Sequence, residues 1–109
     1  MPYFCTMDRV EKLLEFLNAS PNDNFLRHAL AMEYLKAGKE KEAQQLLEAV
    51  LKDCPEYVGS YYQLAKLLEK NGETEKAVFW YERGMEYAKK ANERHTYNEL
   101  QSALDELIY

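Results

Sequence analysis

The feature that most constrains the fold of this chain is an internal repeat with a period of 34 residues. Identical residue types recur at this interval through the middle of the sequence. The pairs are Pro21 and Pro55, Leu30 and Leu64, Ala31 and Ala65, Gly38 and Gly72, and Ala43 and Ala77. Such agreement at a single offset indicates that one supersecondary unit is used twice, because units of this length bury their apolar faces against one another.

Each copy of the repeat has the pattern of two amphipathic helices. The first helix contains HALAMEYLKAG in one copy and YQLAKLLEKNG in the other, with apolar residues at three- and four-residue steps. Gly38 and Gly72 end these helices, since glycine takes the left-handed conformation without steric penalty. A short connection makes the second helix antiparallel to the first, and Pro55 interrupts the chain before the next unit. The sequence therefore predicts an all-α protein.

The spacing within each copy resembles that of the tetratricopeptide-repeat family, which combines a large aromatic residue with small, apolar and proline positions. The first copy carries Arg27, Leu30, Ala31, Tyr34, Ala43, Leu47 and Pro55, and the second carries Tyr61, Leu64, Ala65, Leu68, Ala77, Tyr81 and Lys89. Arg27 departs from the pattern at the aromatic position, and Lys89 departs at the closing proline. The resemblance covers roughly residues 7–107. It implies an α-solenoid of about six helices, stacked in antiparallel pairs with a right-handed superhelical turn.

The frame of the repeat extends beyond both copies. Leu13, Phe16 and Leu17 precede Leu47, Val50 and Leu51 by 34 positions, so residues 7–18 match the second helix of a repeat without its first. At an interval of 36, Tyr97, Leu100 and Leu104 match Tyr61, Leu64 and Leu68. The prediction is one domain over 7–109, with a half-repeat helix (7–18), repeat 1 (24–57), repeat 2 (58–91) and a capping helix (94–107). Residues 1–6 are predicted to be a disordered or frayed tail, and translation could begin at Met1 or at Met7.

Small and aromatic residues indicate where the helices pack. Gly84 lies in the middle of a predicted helix, where glycine costs about 1 kcal/mol relative to alanine. We therefore expect close packing against the final helix at this position. Phe79 and Trp80 are expected to be covered by that helix. Three tyrosines are predicted to lie in the core: Tyr34, Tyr61 and Tyr81.

Charge and composition exclude several classes of partner. The net charge of −5 leaves no basic stripe for phosphates, so neither nucleic acid nor an anionic membrane is expected as a partner. Apolar runs are too short to span a bilayer, and the first residues lack the pattern of a signal peptide. Cys5 and Cys54 are accordingly expected to be reduced thiols in a cytoplasmic protein.

No arrangement of residues predicts catalysis. His28 and His95 have no cysteine or carboxylate at metal-ligand spacing. The chain also lacks a Gly-x-Ser-x-Gly turn and a phosphate-binding loop. We expect no enzyme activity, no catalytic or metal-binding residues and no cofactor.

A binding groove is expected where the first helices of successive repeats line one side of the stack. The register places three rungs across it: His28–Tyr62–Asn98, Met32–Lys66–Ser102 and Leu35–Glu69–Asp105, with Phe25 beyond them. This mixed surface suits a short peptide or a partner helix, anchored by Tyr62 and Met32. A solvated face without a dedicated ligand remains the alternative. The predicted groove residues are Phe25, His28, Met32, Leu35, Tyr62, Lys66, Glu69, Asn98 and Ser102.

Part of the family is known for a clamp of Lys, Arg and Asn that grips C-terminal carboxylates. At the matching positions this chain has His28, Met32, Gln63 and Glu99, so that clamp is not expected.

Two functions follow from the sequence. The first is a non-enzymatic adaptor or scaffold that binds a protein or peptide partner. The alternative is a self-associating subunit, a homodimer formed through open repeat ends or through the N-terminal helix at Leu13, Leu14 and Leu17.

Overall fold

The computed structural model describes the backbone of residues 2–109 and the side chains of residues 9–109. Its six helices are α1 (Pro2–Ala19), α2 (Asn24–Lys36), α3 (Glu40–Asp53), α4 (Gly59–Lys70), α5 (Thr74–Lys90) and α6 (Arg94–Ile108). No strand occurs within residues 2–109, so the predicted all-α class and helix number are confirmed. Helices α2 and α3 occupy the first repeat, α4 and α5 the second, and α6 the predicted cap.

Helix α1 begins earlier than the helix predicted from residue 7. Pro2 stands at its first position, where the fixed φ of proline suits a helix and its missing N–H is not needed. The helix therefore includes residues 2–6, which the sequence analysis assigned to a frayed tail. Met1 and the side chains of residues 1–8 lie outside the described residues.

Three helices end in the same way. Gly38 and Gly72 have φ values of 79° and 80°, as expected for glycines that close a helix. Asn92 takes the same conformation after α5, with a φ of 61°. The next residue closes the turn each time: Lys39 N–H donates to the carbonyl of Tyr34, Glu73 N–H to that of Leu68, and Glu93 N–H to that of Ala88. Asparagine tolerates this conformation better than other non-glycine residues do, so the third end needs no glycine.

The chain divides into two compact units; the first ends at Val50 and the second runs from Leu51 to Tyr109. In the first unit α1 packs on α2. Asp23 caps α2 by accepting a hydrogen bond from the Leu26 N–H at 3.0 Å. Glu33 of α2 is buried, and its carboxylate lies 3.6 Å from the Arg9 guanidinium and 3.5 Å from the Lys36 ammonium.

In the second unit α5 packs against both α4 and α6. Tyr61 and Tyr81 are fully buried, as predicted, and the Tyr61 hydroxyl donates to the Pro55 carbonyl at 2.6 Å. A Cβ placed on Gly84 would lie 2.6 Å from the Tyr61 Cβ and 2.9 Å from the Leu100 Cδ1. The predicted close packing at Gly84 is therefore confirmed, and it involves α4 as well as α6.

Two predictions about aromatic residues were wrong. Tyr34 is half-buried, not in the core, and the Lys39 ammonium lies 5.9 Å from its ring centroid. Phe79 is 51% exposed, because α6 packs on the side of α5 that carries Gly84 while Phe79 points away from it. The Arg83 guanidinium lies 5.7 Å from the Phe79 ring centroid, and Trp80 packs edge-on against Phe79.

The surroundings of Tyr34 explain its exposure. A hollow of about 530 Å³ in the first unit is lined by residues that include Leu14, Pro21, Arg27, Tyr34 and Leu46. We call it the N-terminal hollow. In the repeat register Arg27 and Leu46 correspond to Tyr61 and Trp80, whose rings lie 6.0 Å apart in the second unit. In the first repeat, the smaller Leu46 and the polar Arg27 leave this space open. In the second repeat, the rings of Trp80 and Tyr61 fill the equivalent space.

Arg27→Tyr is accordingly expected to stabilise the protein. The change removes a buried guanidinium and adds apolar area, and the register places the introduced hydroxyl near Pro21, as Tyr61 lies near Pro55. We expect the free energy of unfolding, measured by urea denaturation, to rise by about 1 kcal/mol. Lys52→Tyr, at an exposed position of α3, serves as the control and should change stability by less than about 0.5 kcal/mol. A loss of stability in Arg27→Tyr would contradict this account of the hollow.

Candidate functional site

Four of the nine predicted groove residues come together in the second unit. Tyr62 and Lys66 on α4 and Asn98 and Ser102 on α6 line one hollow of about 340 Å³. His95, Glu99, Ala103 and Glu106 complete its lining. We call this space the α4–α6 hollow. The pairs Tyr62–Asn98 and Lys66–Ser102 are two of the three pairs that the repeat register had predicted to be neighbours across α4 and α6.

The helical period explains how α4 serves both the core and this hollow. Adjacent residues on a helix point about 100° apart, so Tyr61 enters the core while Tyr62 turns toward the hollow. The half-buried Tyr62 ring is held edge-on against the Tyr81 ring, with 6.5 Å between their centroids. Lys66 stands one helical turn further along the same face of α4.

Glu69 holds Lys66 but does not line the hollow. Its Oε1 atom lies 3.9 Å from the Lys66 ammonium and accepts a hydrogen bond from the Tyr81 hydroxyl at 2.8 Å. Burial and then this hydrogen bond raise the pKa of Tyr81, so that its hydroxyl remains a donor at neutral pH. The Lys66 ammonium also lies 5.7 Å from the Tyr62 ring centroid. Glu69 therefore positions a cation at the wall of the hollow.

Carboxylates dominate the α6 side of the hollow. Glu99 and Glu106 are seven positions apart, so two helical turns bring both side chains to the same face of α6. Both residues are exposed, and the Glu99 Oε2 atom lies 3.8 Å from the His95 Nε2 atom. Among the described residues that line the hollow, Lys66 alone is a lysine or arginine. Its positive charge is offset by the Glu69 carboxylate. Two carboxylates against one ammonium group give the lining of the hollow a net negative charge.

The predicted groove did not contain four of the residues that line the hollow: His95, Glu99, Ala103 and Glu106. Their spacing could have identified them, because they lie three, four or seven positions from Asn98, Ser102 or one another on a single helix face. The groove had been predicted from equivalent positions on different helices, without adding the neighbouring positions on the same face of α6.

The other four groove residues lie on α2, in the first unit. Phe25 is 69% exposed, and His28, Met32 and Leu35 are half-buried. Burial lowers the pKa of His28, so its imidazole is neutral at physiological pH. They present an apolar and uncharged face.

The residues predicted for self-association differ in exposure. Leu13 and Leu17 are half-buried on α1, which packs on α2, whereas Leu14 is 46% exposed. Leu14 and Leu17 both line the N-terminal hollow. Arg9 takes the register position of Ala43 and Ala77, and Gln101 takes that of Ala31 and Ala65. Each terminal helix therefore has a long polar side chain where the complete repeats have a buried alanine.

Within residues 9–109 no group of three or more His, Cys, Asp and Glu side chains is arranged to hold a metal ion. None of the described helices is long and apolar enough to cross a membrane. Cys54 carries a free thiol, whose sulfur lies 3.4 Å from a carboxylate oxygen of Glu56.

The family comparison and the comparison with solved structures both match tetratricopeptide-repeat proteins. The family pattern described as Tetratricopeptide repeat matches residues 34–104. A tetratricopeptide repeat domain protein from Salinibacter ruber, solved by NMR, is 38% identical, with a TM-score of 0.78, over 81% of this chain and 89% of that one. A Bordetella parapertussis protein is 26% identical over 90% and 85% of the two chains, with a TM-score of 0.77.

The fold also matches the TPR2B domain of yeast Sti1, solved in complex with pHsp70. Its TM-score is 0.83 at 17% identity, over 97% of this chain and 87% of that domain. A search of curated proteins gave no significant match.

Proposed function

Because this chain belongs to the tetratricopeptide-repeat family, we propose that it is a non-enzymatic interaction module that binds a short segment of another protein. The observation that carries the proposal is the convergence of Tyr62, Lys66, Asn98 and Ser102 in the α4–α6 hollow. Tetratricopeptide folds commonly mediate interactions between proteins, and the Sti1 domain was solved as such a complex. The cytoplasm is the proposed location, which suits the free thiol of Cys54.

The chemistry of the hollow supports recognition of a peptide. Tyr62 offers an aromatic face that loses little conformational entropy on binding, since its ring already packs against Tyr81. Asn98 and Ser102 offer donors and acceptors that can pair with the backbone or side chains of an extended segment. The volume of about 340 Å³ lies at the lower end of the range for ligand pockets, which suits side chains of a partner better than a large cofactor.

A random peptide library, displayed on phage and selected on the immobilised full chain, tests this proposal. The selected peptides are then synthesised and titrated against variants by calorimetry. Tyr62→Ala should weaken their binding by about 30-fold, the effect of losing one central aromatic anchor. Phe79→Ala, which removes an exposed aromatic from the outward face of α5, should leave the affinity unchanged. The proposal fails if no peptide is enriched, or if the enriched peptides bind Tyr62→Ala as tightly as the parent protein.

The alternative function, a self-associating subunit, is supported by the exposure of Leu14 and Phe16 on α1. Arg9 and Gln101 favour the first proposal, because each places a long polar side chain at a position where the complete repeats have a buried alanine. Sedimentation equilibrium over a range of protein concentrations separates the two. A dimer that Leu14→Glu dissociates would favour the alternative.

A further inference from the structure

We propose that the segment bound in the α4–α6 hollow is basic, and that a lysine or arginine side chain of the partner lies between Glu99 and Glu106. This inference rests on the function proposed above. It assigns a chemical class to the partner and a role to two carboxylates that the predicted groove did not contain.

The charge of the hollow carries the inference. The lysine of its lining, Lys66, already lies against the Tyr62 ring and near the Glu69 carboxylate, so its charge is balanced within the protein. Glu99 and Glu106 are exposed at the edge of the hollow. A carboxylate in this position attracts a cation from the partner and disfavours an acidic residue.

The spacing of the two carboxylates fits one side chain. Seven residues of α6 rise by about 10 Å, and Ser102 lies between Glu99 and Glu106 on the same face. A guanidinium or ammonium group above Ser102 could donate hydrogen bonds to the serine hydroxyl and to either carboxylate. The alkyl stem of the same side chain could pack on the Tyr62 ring, which leaves the charged end in the polar part of the hollow.

The net charge of −5 adds a weak long-range attraction for basic segments, which salt should screen.

The experiment uses the peptides selected from the random library and two double variants of the full chain. Glu99→Gln with Glu106→Gln removes two charges from the hollow and keeps the shape of both side chains. Glu75→Gln with Glu82→Gln is the matched control. It removes two exposed charges from the outward part of α5, and these two residues are also seven positions apart. The selected peptides are titrated into both double variants by calorimetry, at low and at high salt. An unrelated acidic peptide that ends in Glu-Glu-Val-Asp is titrated in the same way.

The selected peptides are expected to be enriched in lysine or arginine. Their affinity should fall about tenfold or more in the Glu99/Glu106 variant, remain unchanged in the Glu75/Glu82 variant, and weaken as salt rises. The acidic peptide should show no saturable binding.

Two kinds of failure can be told apart. If no peptide is selected whose binding depends on Tyr62, the proposed function fails and this inference fails with it. If peptides bind in a Tyr62-dependent way but show no basic enrichment, only the inference is overturned. Equal losses in both double variants would also overturn it, because the effect would then come from the total charge of the protein and not from the hollow.

Discussion

Tyr61→Ala is expected to lower the free energy of unfolding by about 3–5 kcal/mol, the range found when a large buried aromatic is cut back to alanine. Tyr61 is fully buried, its ring stacks on Tyr87 at 6.0 Å, and it lies 6.0 Å from the Trp80 ring. The substitution also removes the donor to the Pro55 carbonyl. Since small proteins are stable by only about 5–15 kcal/mol, this change alone could leave a large fraction unfolded.

The neighbouring Tyr62 is the matched control for this effect. It has the same chemical structure and lies on the same helix, but its ring is half-buried and borders the α4–α6 hollow. Tyr62→Ala should cost less than about 1.5 kcal/mol, because much of the lost area already faces water. Guanidinium denaturation followed by circular dichroism measures both changes.

If Tyr61→Ala does not fold, Tyr61→Phe keeps the ring and removes only the hydroxyl. It should cost about 1 kcal/mol. Equal stabilities for the two alanine variants would show that the core and hollow faces of α4 have been assigned in error. Together with the binding test, the pair separates folding from recognition, since Tyr61 should affect the first and Tyr62 the second.

Much of the fold follows from sequence because its signals are local and repeated. Gly38 and Gly72 mark two helix ends, and buried small residues such as Ala43 and Ala77 recur in register with them. The exposure of Tyr34 could not be predicted from the sequence, because it depends on the residue at position 27 and not on Tyr34 itself. Arg27 replaces the aromatic that fills the equivalent space in the second repeat, and the N-terminal hollow is the result.

The candidate site was predictable only in part, for a related reason. The register identified Tyr62 and Asn98 as neighbours across two helices, because equivalent helices of a repeat present equivalent faces. It also placed Glu69 in the groove, but the side chain instead accepts a hydrogen bond from Tyr81. A repeat register gives the face on which a residue lies, whereas its hydrogen-bond partner depends on side chains of other helices. The role of Glu69 therefore required the structure.

Gly84→Ala is expected to lower the free energy of unfolding by about 1–2 kcal/mol, which reverses the usual sign of this substitution. In the middle of an exposed helix the same change stabilises by about 1 kcal/mol, because alanine has the higher helix propensity. At Gly84 the added methyl group would lie 2.6 Å from the Tyr61 Cβ and 2.9 Å from the Leu100 Cδ1. The Tyr61 Cβ is fixed to the backbone of α4, so the contact can be relieved only if helices move apart.

Gly59→Ala provides the control, since Gly59 is the first residue of α4 and a Cβ there would meet no atom within 4 Å. It should be neutral or stabilise by up to about 1 kcal/mol, because alanine restricts the unfolded chain. Urea denaturation of both variants, followed by circular dichroism, gives the two differences in free energy. Because both variants gain the same methyl group, their opposite signs would isolate the steric contribution at the junction of α4, α5 and α6. A Gly84→Ala protein as stable as the parent would mean that these three helices do not pack as closely as the structure has them.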